Sequence, residues 1–185
     1  MDLAGAIPAL IDIVSLIPID IHAAIILVPH LLPAYKSNFG DILAKHTSVP
    51  IFLAESGMYV EPQNIYVLPE NTIMVIHHGQ LFLRKRRKDE GVNKAIDIFF
   101  TSLADDVRDK AIAVILSGCG HDGLLGATEI HKNNGLVIVQ DPETAQFPFM
   151  PQGIIKGDSP DYILSPKEIV SEILVKLSEP KDTGV

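Results

Sequence analysis

Short apolar runs alternate with amphipathic stretches along this 185-residue chain, the pattern of strands feeding helices in an α/β domain with a mostly parallel sheet. AAIILV (23–28) predicts a buried strand, YKSNFGDILAKHT (35–47) a helix and PIFLA (50–54) the next strand. From Asn64 to Arg84 the texture changes. IYVL, TIMVIHH and LFLRK are three strand-like runs separated by PEN and HG, which predicts a small antiparallel β meander or hairpin. NKAIDIFFTSLADDVRD (93–109) sets Ile96, Phe99, Phe100, Leu103 and Val107 on one helical face, and AIAVILS (111–117) follows as a buried strand. LLGATEIHKN (124–133) predicts a helix stopped near Gly135, LVIVQ (136–140) a strand and DYIL (161–164) a last short strand.

Two boundaries carry extra weight. SPKEIVSEILVKL opens with Ser165 as N-cap, Pro166 at the first helical position and Glu168 set to close a capping box, so a helix starts there. At the other end, AGAIPALIDIV predicts a helix with Pro8 in its first turn, yet no strand-like run precedes it. A parallel α/β domain feeds such a helix from a strand, so the first strand of the expected α/β fold is missing. Residues 1–180 are read as one domain and 181–185 as a tail. An interior strand lost from a sheet leaves unpaired amides and carbonyls on its neighbours. The gap is expected to close by rearrangement or by a partner chain, which adds a homo-oligomer to the expected partners.

Composition narrows the classes. Apolar content of 47% is ample for a core, and His22, Pro29, Asp20 and Pro18 break the longest apolar runs, so no membrane insertion is expected. Asp2 and Asp12 interrupt an N-terminal stretch that has no basic segment, which argues against a secretory signal. With one cysteine no intrachain disulfide forms, and a cytoplasmic location fits. A net charge of -8 argues against nucleic-acid binding. The one basic cluster, RKRRK from Arg84 to Lys88, reads as a solvated loop or as a contact for an acidic partner.

Candidate chemistry gathers in ILSGCGHDGLLGATEIH (115–131). Its SGCGHDG loop lies between a buried strand and a helix, at the carboxyl end of the sheet where open α/β proteins bind ligands. Glycines there leave backbone N–H groups uncovered for an anion or a developing oxyanion. The loop lacks the lysine of a Walker A motif. Gly118-x-Gly120-x-x-Gly123 matches a dinucleotide fingerprint only formally, with Asp141 and Glu143 as the acids such a reading needs for a ribose. A plainer reading makes Asp122 the cap of the following helix. ILVPHLLP puts His30 just after another apolar run. An imidazole and a carboxylate meeting at neighbouring strand ends form the base and orienting acid of a hydrolytic triad. His77 and His78, adjacent on a strand and so on opposite faces, and His121 and His131, ten apart, have no ligand spacing, so no metal is expected.

Taken as an ordered set, VPHLLP, HTSVPIFLAESGMYVEPQNIYVLPEN, IDIFFTSLADD and ILSGCGHDGLLGATEIHKNNGLVIVQDPETAQFPFMPQGI resemble the catalytic domain of CheB-type chemotaxis receptor methylesterases. The resemblance runs from about Ala4 to the last helix and is greatest to the versions found in hybrid methylesterase and methyltransferase proteins. It implies a doubly wound α/β serine hydrolase, without a cofactor, that demethylates glutamate methyl esters and deamidates glutamine on methyl-accepting chemotaxis receptors. A methyltransferase partner or fusion is the further partner it implies. By resemblance His30 is the triad histidine and Asp122 the triad aspartate. A backbone amide at Cys119, beside Gly120, helps form the oxyanion hole, and Met150 and Pro151 lie near the substrate cleft.

The resemblance breaks at the nucleophile. The family's serine sits in a G-x-S-x-G-G turn ahead of the first helix, and here Leu3 stands at the matching position, with Ala6 for the final glycine. Either the sequence starts late relative to an active enzyme, which the retained His30, Asp122 and glycine loop favour, or it is a degenerate homologue kept as a non-catalytic interaction module. Cys119 is the thiol able to stand in for the serine; its matching family position contributes backbone rather than side chain. Ser117 and Ser15 are weaker candidates.

Overall fold

The computed structural model describes residues 6–30, 39–87 and 89–179. In chain order its elements are α1 Ile7–Leu16, β1 Ile25–Leu27, α2 Phe39–Ala44, β2 Ile51–Leu53, β3 Ile65–Val67, β4 Thr72–His77, β5 Gln80–Lys85, α3 Ala95–Val107, β6 Ile112–Ile115, α4 Leu124–Lys132, β7 Leu136–Gln140, α5 Phe149–Gly157, β8 Tyr162–Leu164 and α6 Pro166–Ser178. Two parallel three-stranded sheets, β1-β3-β2 and β6-β7-β8, form the framework beside an antiparallel β4-β5 pair. Among the described residues no strand precedes α1 and no ladder joins β1 to β6.

The period of two along each strand assigns its side chains to opposite faces. Tyr66 and Leu68 of the β3 segment, Ala113 and Ile115 of β6, and Val137 and Val139 of β7 enter one core with α3, α4 and the hairpin. The alternate residues face the other way: Ile65 and Val67 pack with α1 and α2, and Ile138 packs with Ile169 and Val170 of α6. Helices therefore cover both faces, and α1 bridges the sheets by giving Leu10 and Val14 to one cluster and Ile13 to the other. Ile138 has no exposed surface, and burial of such a side chain contributes about 1.5–3 kcal/mol.

Local chemistry fixes several boundaries. Glu168 accepts hydrogen bonds from Ser165 N at 2.9 Å and Ser165 Oγ at 2.6 Å, at the predicted start of α6. In the predicted meander, TIMVIHH and LFLRK do form an antiparallel pair, but IYVL does not join them. It becomes β3, paired parallel to β1 through Ile25↔Ile65 and to β2 through Ile51↔Ile65. A two-sided apolar run suits the centre of a helix-covered parallel sheet better than a half-exposed hairpin. His78 is also not a strand residue. It and Gly79 have φ of 50° and 71°, the two positive values of a tight hairpin turn, so the His77 and His78 rings lie side by side with centroids 4.0 Å apart.

In the basic stretch, Arg84 Nη1 lies 2.7 Å from Glu90 Oε1, Arg86 Nη2 donates to the carbonyls of Glu90 and Gly91, and Arg87 faces Asp89 and Glu90. Much of its charge is spent on its own turn. No helix among the described residues is long and apolar enough to cross a membrane.

Candidate functional site

β1 and β6 end at the same edge of the molecule. His30 follows β1 across Val28 and Pro29, and Asp122 lies in the SGCGHDG loop after β6. The structure brings them together: His30 Nε2 is 2.6 Å from Asp122 Oδ2. The imidazole is 28% exposed and the carboxylate 4%. With Nε2 committed to the carboxylate, Nδ1 is the ring nitrogen left to exchange a proton.

Asp122 is held from behind by a helix end. Its Oδ2 accepts from Ile96 N and its Oδ1 from Asp97 N, both at 2.9 Å. These are first-turn amides of α3, which have no partner within their own helix and carry the positive end of its dipole. The carboxylate therefore caps α3 rather than α4. Capping of α4 falls to Asp97, whose Oδ1 accepts from Gly123 N at 2.8 Å and Gly126 N at 3.0 Å. Each acid closes the other's helix.

This reciprocal arrangement explains two of the glycines. Gly123 begins α4 at φ 105°, a left-handed conformation that a side chain disfavours. At Gly126 a Cβ would lie 2.5 Å from Phe100 Cβ and 3.2 Å from the Asp97 backbone, so its absence lets α3 and α4 close on each other. Burial pushes the Asp97 carboxyl above the ordinary carboxylate range, and the charge of Asp122 adds to the effect, against the lowering pull of the Gly126 and Gly123 amides.

The rest of the loop is anchored by polar contacts. Ser117 N donates to Gln140 Oε1 at 2.8 Å, Ser117 Oγ accepts from Phe147 N at 2.9 Å, and Gly118 N donates to Phe147 O at 2.9 Å. The Ser117 hydroxyl is thus occupied, and the Ser15 hydroxyl donates to its own helix at Asp12 O. Cys119 is a partly exposed free thiol, and no described residue engages the amides of Cys119 and Gly120.

Met150 N donates to Gly118 O at 3.0 Å, and the Met150 side chain packs over Gly118. Met150 and Pro151 are both buried, whereas Phe149 beside them is 61% exposed. Asp141 caps its own turn by accepting from Glu143 N at 2.9 Å. Among the described residues no group of three or more His, Cys, Asp or Glu is arranged to hold a metal ion. Leu3 lies outside the described residues.

The family model for CheB methylesterase matches residues 4–173, nearly the whole chain. The chain belongs to the CheB methylesterase family. A Leptospira interrogans protein, provisionally named protein-glutamate methylesterase/protein-glutamine glutaminase, is 31% identical over 177 residues, covering 95% of this chain and 91% of that one. The protein-glutamate methylesterase/protein-glutamine glutaminase of Pyrococcus horikoshii is 31% identical over 179 residues, covering 95% of this chain and 48% of that one. The crystal structure of the Thermotoga maritima CheB methylesterase catalytic domain matches with a TM-score of 0.85 at 27% identity, covering 94% of each chain. The α/β architecture, mostly parallel with a small antiparallel pair, is thus that of a CheB methylesterase catalytic domain.

His30 and Asp122, singled out in the sequence, are brought together by the structure, whereas Asp97, Gln140 and Phe149 were not singled out. For Asp97 a signal existed: AIDIFF places an acid inside an otherwise apolar run at the start of a helix.

Proposed function

We propose that this domain is a protein-glutamate methylesterase and glutamine deamidase acting on methyl-accepting chemotaxis receptors, with His30 as general base and Asp122 as its orienting acid. What supports the reading is the 2.6 Å His30–Asp122 contact at an edge where two parallel strands end, in a chain of the CheB methylesterase family. In a form bearing serine at position 3, the serine oxygen attacks the ester carbonyl and its proton passes to His30 Nδ1. Asp122 holds the Nε2–H and stabilises the imidazolium. The oxyanion is received by the amides of Cys119 and Gly120. His30 then returns the proton to the departing methoxide, methanol leaves, and water opens the acyl-enzyme by the same route to give glutamate. With glutamine the leaving group is ammonia. No cofactor takes part, and Met150 and Pro151 are assigned to the wall beneath the cleft.

Leu3 carries no nucleophile, so the chain as written is expected to hydrolyse the ester slowly; loss of one triad member removes several orders of magnitude of rate. The test is methanol release from a methylated receptor fragment by the chain in its natural sequence context bearing Leu3→Ser. Activity is expected to appear, and to vanish again on adding His30→Ala. A serine-bearing, folded protein that releases no methanol overturns the esterase reading.

Leu3 also favours a second reading, a non-catalytic interaction module that docks to a receptor, to a methyltransferase partner or fused module, or to a second copy. Receptor binding retained in His30→Ala and Asp122→Ala variants, with no hydrolysis in any form, is the result that selects it. Both readings place the protein in the cytoplasm with its receptors' signalling helices.

A further inference from the structure

Asp97 has no assigned role, yet it is a buried acid in the first turn of α3 with 9% exposure. It reaches across to the amides of Gly123 and Gly126, while its own amide donates to Asp122 Oδ1. An acid needed merely to cap α4 could sit at that helix's own N-cap, where Gly123 stands instead. Here the cap comes from the helix that also grips the His30 partner. We propose that Asp97 is a positioning residue: by locking the start of α3 onto the start of α4, it fixes the Asp122 carboxylate that faces His30. The inference rests on the reading of His30 and Asp122 as base and orienting acid, and goes beyond it by adding a third group.

The geometry divides the labour between the two acids. Asp122 receives the imidazole and two amides on its oxygens. Asp97 receives two amides on Oδ1 alone, which leaves Oδ2 to carry a proton. Burial raises the Asp97 carboxyl from its ordinary value and the neighbouring charge of Asp122 adds to that, against the lowering pull of the Gly126 and Gly123 amides. Asparagine can reproduce this pattern, its carbonyl accepting from the two glycine amides. Alanine cannot.

The experiment follows the His30 ring nitrogens and the Nε2–H proton by NMR across pH in the 15N-labelled full chain, for the unsubstituted protein, Asp97→Asn and Asp97→Ala; hydrolysis plays no part in it. In the unsubstituted protein the ring signals are expected to show, besides their own titration, a second step from the Asp97 carboxyl. Asp97→Asn should abolish that step and retain the Nε2–H tautomer. Asp97→Ala should shift the ring toward the mixed tautomers of a free imidazole. A folded Asp97→Ala protein with unchanged ring signals, or an unsubstituted protein without the second step, overturns the proposal. Should the alanine variant fail to fold, the unsubstituted and asparagine titrations still decide. Absence of the His30–Asp122 pair in the unsubstituted protein sinks the catalytic reading and this inference together; a pair present but indifferent to Asp97 sinks this inference alone.

Discussion

Two histidines lie against carboxylates at opposite ends of α4. Beside its start, His30 gives Nε2 to Asp122, and no described residue engages Nδ1. In its last turn, His131 lies with Nδ1 2.8 Å from Asp158 Oδ2 and Nε2 3.0 Å from Asp161 Oδ2. The composition of the two clusters is nearly the same: one imidazole and two acids. Their chemistry is not. A ring with a carboxylate facing each nitrogen ties α4 to the end of α5 and the entry to β8. A ring with one nitrogen open can act as a base. What separates a clamp from a candidate catalyst is where the second acid stands, beside the imidazole at His131 and behind the first acid at His30.

The comparison can be broken most sharply by rate. In the serine-bearing form, His30→Ala should lower methanol release by about 10²–10⁴-fold, the usual range for a general base, whereas His131→Ala should leave the rate per folded molecule unchanged. Equal losses from both would erase the distinction. Next in size is packing. Gly126→Ala forces a methyl into Phe100 and the Asp97 backbone, and overpacking of this kind costs about 1–3 kcal/mol, which urea denaturation should read as a lower midpoint.

Smaller effects separate the clusters by pH. For His131, burial lowers the imidazole's proton affinity, but hydrogen bonds to Asp158 and Asp161 outweigh it, and the net shift is upward from the ordinary 6.5. The folded state then binds its proton more tightly than the unfolded chain. This stabilisation is complete below the unfolded value and is lost as pH rises through the raised folded one. The fall in stability above about pH 6.5 should be shallower in His131→Gln. Asp97 acts in a more acidic window. Its carboxyl is raised from the ordinary 3.8, so the folded state keeps a proton that the unfolded chain releases, and stability declines as pH rises from there through the raised value. Asp97→Asn should remove that slope while leaving the slope above neutrality intact. Denaturation midpoints measured across both windows check the two signs separately.

How much of this was legible depended on how far each interaction reaches along the chain. The start of α6 was legible because Ser165, Pro166 and Glu168 decide it within one turn. His30 and the glycine loop were legible because strand ends mark themselves by the close of an apolar run. β3 was misassigned because IYVL is equally at home in a hairpin or a parallel sheet, and its partners around Ile25 and Ile51 are set by tertiary assembly. Asp122 as a cap of α4 was a reasonable local inference that lost to a distant one, since the amides it serves belong to Ile96 and Asp97. Asp97 was missed for the same reason: nothing near it in sequence shows that Gly123 and Gly126 lie within reach.

Among the described residues no strand joins the β1 and β6 edges of the two sheets, which has a consequence for isotope exchange. Leu136 N bonds to Ala111 O, and that parity turns the amides of Ala113 and Ile115 toward β7 and those of Ile112 and Val114 away from it. On β1 the bond from Ile25 N to Asn64 O likewise turns Ile25 and Leu27 toward β3 and Ile26 outward. Deuterium should therefore enter these two strands like the teeth of a comb, quickly at Ile26, Ile112 and Val114 and slowly at the residues between them. An added extended segment seated along those edges would slow the fast teeth and leave the slow ones as they were.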